Sequence, residues 1–81
     1  MSQVWKKSVT LELEGPGQYT TIDSTQGASW AMIEDWPLED HPALDHALLV
    51  CADVSKGKRP DEDAREAFIA AAKEAGITIK E

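Results

Sequence analysis

The sequence predicts an α+β domain, a small antiparallel sheet packed against three helices in the order ββααα(β), the bracketed strand being a short one near the C-terminus. Three observations carry this. Val9-Thr10-Leu11-Glu12-Leu13-Glu14 alternates apolar and polar side chains with the period of a half-buried strand. Three later segments repeat apolar residues at helical spacing, each bounded by capping residues, Pro or Gly. Finally, 81 residues hold one thin core, so all elements belong to a single domain spanning 1–81.

The elements follow in order. Trp5 shares the odd-numbered face of the first strand, which places its start as early as Val4, although Lys7 interrupts the apolar side. Gly15-Pro16-Gly17 stops the strand: Pro fixes φ, and the glycines accept positive φ in a tight reversal. Gln18-Tyr19-Thr20-Thr21-Ile22, rich in aromatic and β-branched residues, supplies the second strand of an antiparallel hairpin.

Asp23 then reads as an N-cap, with Gln26 completing a capping box, for a first helix from about Ser24 to Trp36. Pro37 ends it. At about 100° per residue, Ala28, Ser29, Met32, Ile33 and Trp36 share one face, and Trp30 falls roughly 130° from its centre. Trp30 is therefore the aromatic that the core pattern leaves over.

The acidic connection Leu38-Glu39-Asp40 leads to a second helix capped by Asp40 or His41, with Pro42 in its first turn. Leu44, Ala47, Leu48, Cys51 and Ser55 form its stripe, while Leu49, Val50 and Val54 extend apolar character around most of its circumference. Such a helix is packed on more than one side and reads as the central one. Lys56 and Gly57 suit its C-terminus. After Pro60, Asp61 reads as the cap of a third helix with core face Ala64, Phe68, Ala71, Ala72 and Ala75. Gly76 ends it, with Ile77 packing back on Ala72, and Ile77-Thr78-Ile79-Lys80 alternates as a third strand beside the first.

Trp36-Pro37, Ala47 with Cys51 four residues on, Gly57, and the run from Ala64 through Phe68 to Gly76 resemble the small bacterial proteins of domain of unknown function 982. The resemblance covers most of the chain, including the strand-then-helix opening with Ala28. It implies a small intracellular α+β domain of alphaproteobacterial, rhizobial type. It brings no activity, cofactor or site residue with it.

Composition narrows the function. With 15 acids against 8 Lys plus Arg, the net charge of −7 argues against a nucleic-acid surface, which needs a basic face to release counterions. The dispersed Lys6, Lys7, Lys56, Lys58 and Arg59 lack the interleaved aromatics of such a surface. No charged leader with an apolar stretch opens the chain, and one Cys makes no internal disulfide, so a soluble, cytoplasmic protein is expected.

Each chemical motif in the chain has a plainer role. Cys51 lies in an apolar stripe, and His46 points about 140° away, so the pair does not make an activated nucleophile; a buried structural thiol is the better account. His41, His46, Glu39, Asp40 and Asp45 lack the spacing of a structural zinc site and read as a solvated acidic patch without metal. Glu34-Asp35 and Glu39-Asp40 are adjacent, hydrated carboxylates rather than an acid–base pair in one pocket. Gly15-Pro16-Gly17 joins two strands and has none of the Lys-Ser/Thr signature of a phosphate loop.

What remains points to binding. Trp30 is a candidate interface anchor, and Leu49 on the outer side of the second helix makes a similar case for self-association, a common route by which small domains gain burial. The expected function is a noncatalytic protein-interaction or regulatory module, a homodimer or a subunit of a larger assembly, with no cofactor, nucleic acid or membrane. The alternative is a small-molecule domain with a pocket between sheet and helices, lined by Tyr19, Trp36 and Phe68. An enzyme using Cys51 ranks third.

Overall fold

Strand β1 (Val4–Glu12) is the centre of a three-stranded antiparallel sheet of order β2-β1-β3, with β2 (Tyr19–Ser24) on one side and β3 (Ile79–Lys80) on the other. The structure is a computed structural model, and it describes residues 4–12, 17–34, 36 and 42–80. Gly15, Pro16 and the predicted Leu13-Glu14 end of the first strand lie outside the described residues, as do the caps proposed at Asp40 and His41. Gly17, within them, takes the positive φ of 78° expected of the reversal, and its N–H donates to Glu12 Oε2 at 2.9 Å.

The register runs Val9↔Ile22, Leu11↔Thr20 and Glu12↔Tyr19, with Thr10↔Lys80 and Leu11↔Ile79 on the other side. Val9, Leu11 and Ile22 turn into the core while Thr10, Thr21, Tyr19 and Lys80 occupy the outer face. Between Val4↔Ser24 and Val9↔Ile22 the first strand advances five residues against two on β2. This irregularity resolves the interruption at Lys7: Lys6, Lys7 and Ser8 are all exposed, and Trp5 nevertheless returns to the core at 5% exposure.

The chain passes from β2 directly into helix α1 (Thr25–Glu34). The cap is Ser24, the last residue of β2, whose hydroxyl accepts the Gly27 N–H at 3.0 Å, and not Asp23 one residue before it. The helix ends at Glu34, so Trp36 packs on the core from beyond it. Its buried side chains are Thr25, Ala28, Ala31 and Met32, whereas Ile33, expected on the core face, is 67% exposed. The helix is rotated toward the sheet because it packs on β2 as well as on the other helices: a side chain at Gly27 would meet Ile22 Cγ2 at 3.8 Å.

Helix α2 (Pro42–Ser55) packs against both α1 and α3 (Asp61–Glu74), as its broad apolar circumference requires. Leu44, Ala47, Val50, Cys51 and Val54 are buried, and Ser55, expected on the stripe, is exposed in the last turn. The ends of α2 and α3 share one geometry. Gly57 N–H reaches Val54 O and Lys58 N–H reaches Asp53 O; Gly76 N–H reaches Lys73 O and Ile77 N–H reaches Ala72 O, at 2.9 to 3.1 Å. These are Schellman closures, with Gly57 and Gly76 at φ of 78° and 77°.

Asp61 is the first helical residue of α3 rather than its cap; Pro60 is the cap and makes no side-chain bond. The Asp61 carboxylate is engaged elsewhere. Trp5 Nε1–H donates to Thr25 Oγ1 at 3.1 Å, and the Thr25 hydroxyl donates to Asp61 Oδ1 at 2.9 Å, tying β1, α1 and α3 together. Phe68, wholly buried, is the filler of the core, with ring centroids 5.9 Å from Trp5 and 5.5 Å from Trp36.

Candidate functional site

Among the described residues, two concave regions and one apolar flank stand out as places to meet another molecule. The flank is built by β2 and α1. β2 is an edge strand, and its outward side chains, Tyr19, Thr21 and Asp23, are exposed. On α1, Trp30 is 55% and Ile33 67% exposed; three residues apart, they are neighbours on one helix face. They border an open groove of about 370 Å³ that is closed on the other side by Val54 and Ser55 of α2. Ser29 lies in the same groove, beside the buried Cys51 of the central helix.

Leu49 is also 67% exposed but does not line this groove. Helical geometry puts it about 140° around α2 from Val54, on another face. The structure therefore does not bring Trp30 and Leu49 together. Ile33, assigned to the core by periodicity, is the residue that accompanies Trp30. A different signal marks the flank: from Gly17 to Ile33 the sequence carries one charge, Asp23, in a chain that is 28% charged.

The second concavity is an open cleft of about 850 Å³ between Trp5–Lys7 of β1 and the start of α3, where Pro60, Asp61, Glu62, Asp63 and Arg65 line it. It lies beside the irregular stretch of β1, and Arg65 Nε–H donating to the Lys7 carbonyl at 3.0 Å braces one wall. Its charged lining mixes Lys6, Lys7 and Arg65 with Asp61, Glu62 and Asp63, so neither sign prevails.

Tyr19, Trp36 and Phe68 do not form a common pocket. Trp36 and Phe68 meet ring to ring in packing, while Tyr19 lies on the outer face of the sheet beneath the Lys80 ammonium, 4.4 Å from the ring centroid. Cys51 is 1% exposed; burial pushes its thiol above the ordinary value, and a hydrogen bond with the Ser29 hydroxyl opposes this in part. The buried thiol is thus held protonated, the reverse of a nucleophile's setting. Asp45 and His46 are exposed on α2, whereas Glu39, Asp40 and His41 lie outside the described residues. Among the described residues no three His, Cys, Asp or Glu side chains converge as metal ligands, and no helix is long and apolar enough to cross a membrane.

Fold and surface together define a small α+β domain with a core filled by Phe68 between Trp5 and Trp36, and a sparsely charged, partly apolar flank. The chain belongs to the family described as Protein of unknown function (DUF982), which it matches over residues 7–79. Neither a curated protein nor a solved structure matches it.

Proposed function

We propose that the protein is a noncatalytic interaction or regulatory module that docks through the flank carrying Trp30, as a homodimer or as a subunit of a larger cytoplasmic assembly. The observation that carries this reading is the pairing of Trp30 with Ile33, two large apolar side chains more than half exposed on one face of α1 beside an open groove. Aromatic side chains are enriched at interface centres and among the residues that carry most of the binding energy. The net charge of −7 favours a protein partner over nucleic acid, and the burial of Cys51 favours a role without covalent chemistry.

Light scattering at micromolar concentration and affinity capture with Trp30→Ala test the reading together. Self-association or partner capture that the substitution removes supports it. A monomer whose captured partners are all retained by Trp30→Ala overturns it.

A small-molecule reading has one observation in its favour, the cleft between β1 and α3, whose volume of about 850 Å³ lies within the range of ligand sites. Its lining is Trp5, Lys6, Lys7 and the first turn of α3, not the aromatic trio expected from sequence. Small molecules that raise the melting temperature of the native chain but not of Arg65→Ala would favour this second reading.

A further inference from the structure

We infer that the occupant of the Trp30 flank is a second copy of this chain, joined edge to edge through β2 about a two-fold axis at Thr21; this inference rests on the docking-face reading above. Three features of the flank fit a self-partner. β2 has no strand on its outer side among the described residues, which leaves a row of backbone donors and acceptors open to pairing. Of the four large hydrophobic side chains exposed among the described residues, Tyr19, Trp30 and Ile33 belong to β2 and α1. The seventeen residues from Gly17 to Ile33 carry a single charge, so two copies of a strongly acidic chain approach here with the least like-charge repulsion.

The register follows from symmetry. A two-fold axis perpendicular to the sheet keeps each face continuous, so opposed residues must come from the same face. With the axis at Thr21, Thr21 opposes its own copy, Thr20 opposes the partner's Ile22, and Tyr19 opposes the partner's Asp23. Asp23, the single charge between Gly17 and Ile33, then meets the residue whose ring carries the Lys80 ammonium at 4.4 Å. Moving the axis to Thr20 or Ile22 sets Asp23 against Gly17 or Thr21 and forfeits that complementarity. The operation that pairs β2 also brings the two α1 helices side by side. In α1, Gly27 faces β2, Ser29 faces α2, and Trp30 projects outward between those directions, toward the α1 of the second copy.

Disulfide trapping combined with sedimentation equilibrium tests the register. Directly opposed antiparallel residues have Cα atoms about 4.5–5.5 Å apart, inside the range a disulfide spans. Cys51 is buried, so the unmodified chain is the control. Thr21→Cys is expected to give a covalent dimer under mild oxidation. Asp23→Cys alone should not, but mixed with Tyr19→Cys it should give the cross-linked pair. Thr21→Lys, which sets like charges face to face, should weaken the dimer at least about tenfold, with the circular dichroism spectrum unchanged. A chain that sediments as a monomer at every concentration overturns the inference. So does a dimer that Trp30→Glu dissociates but Thr21→Cys does not trap, and that result leaves the docking-face reading standing.

Discussion

The indole N–H of Trp5 donates to the hydroxyl of Thr25, twenty residues away in sequence, at 3.1 Å, and both groups are buried. The hydroxyl in turn donates a hydrogen bond to Asp61 Oδ1, so one threonine satisfies a buried indole and anchors the start of α3. Replacing it by the nearly isosteric valine leaves the Trp5 donor unpaired in the core. We predict that Thr25→Val costs about 1–3 kcal/mol, or roughly 4–8 °C of melting temperature per kcal/mol in a domain of this size, while Thr25→Ser retains most of the stability. Urea titration measures both, and a valine variant as stable as the native chain would refute the relay.

Phe68 is wholly buried and touches both Trp5 and Trp36. Phe68→Ala should cost about 3–5 kcal/mol, a large part of the roughly 5–15 kcal/mol that holds a domain together. Loss of the near-ultraviolet tryptophan signal below 37 °C is the expected result; a fully native spectrum there would show that the rings do not depend on one another.

Cys51 gives a prediction in pH. Its folded pKa is raised by burial above the ordinary value of 9.0. The unfolded chain therefore loses the thiol proton first as pH rises, and stability falls above about pH 9. The fall should be shallower in Cys51→Ala, and the difference between the two stability curves isolates this group. At neutral pH a thiol reagent should label the native protein slowly and the urea-unfolded protein at once. Labelling of the native state at the rate of a free thiol would return Cys51 to consideration as a reactive group.

Gly57 and Gly76 both sit at positive φ, and a side chain at either would meet nothing within 4 Å. The cost of Gly57→Ala is then purely conformational, roughly 1–2 kcal/mol. Gly57→Asn, whose side chain tolerates the left-handed region, should cost less. Equal losses for Ala and Asn would contradict this account of the two helix ends.

Trp30 contrasts with Phe68. At 55% exposure its truncation removes little packing within the chain, so Trp30→Ala should shift stability by no more than about 0.5 kcal/mol at concentrations where the chain is monomeric. A thermal melt on dilute protein checks this, and a loss comparable to that of Phe68→Ala would show that the ring is structural.

The sequence by itself determined the order of elements, the alternation of β1 from Val9, the broad burial of α2 and the paired glycine closures, because each is a local matter of period, cap or φ. Trp30 was legible as an outlier for the same reason. What the tertiary structure decided depends on partners far along the chain. The rotation of α1 that buries Ala31 and exposes Ile33 follows from its packing on β2 and α2 together. The role of Thr25 has no local signal, since its partners lie at Trp5 and Asp61, and the same contact turns the Asp61 carboxylate away from the capping position that local reading gives it. The irregular stretch of β1 and the cleft beside it arise only when nine residues of β1 are matched to six of β2 and α3 closes over them. Tyr19 shows the same limit: composition places it among the aromatics, but only the register with Glu12 puts it on the exposed outer face, apart from the buried Phe68. Periodicity marks which residues can be buried, and the packing of neighbouring elements selects which of them are.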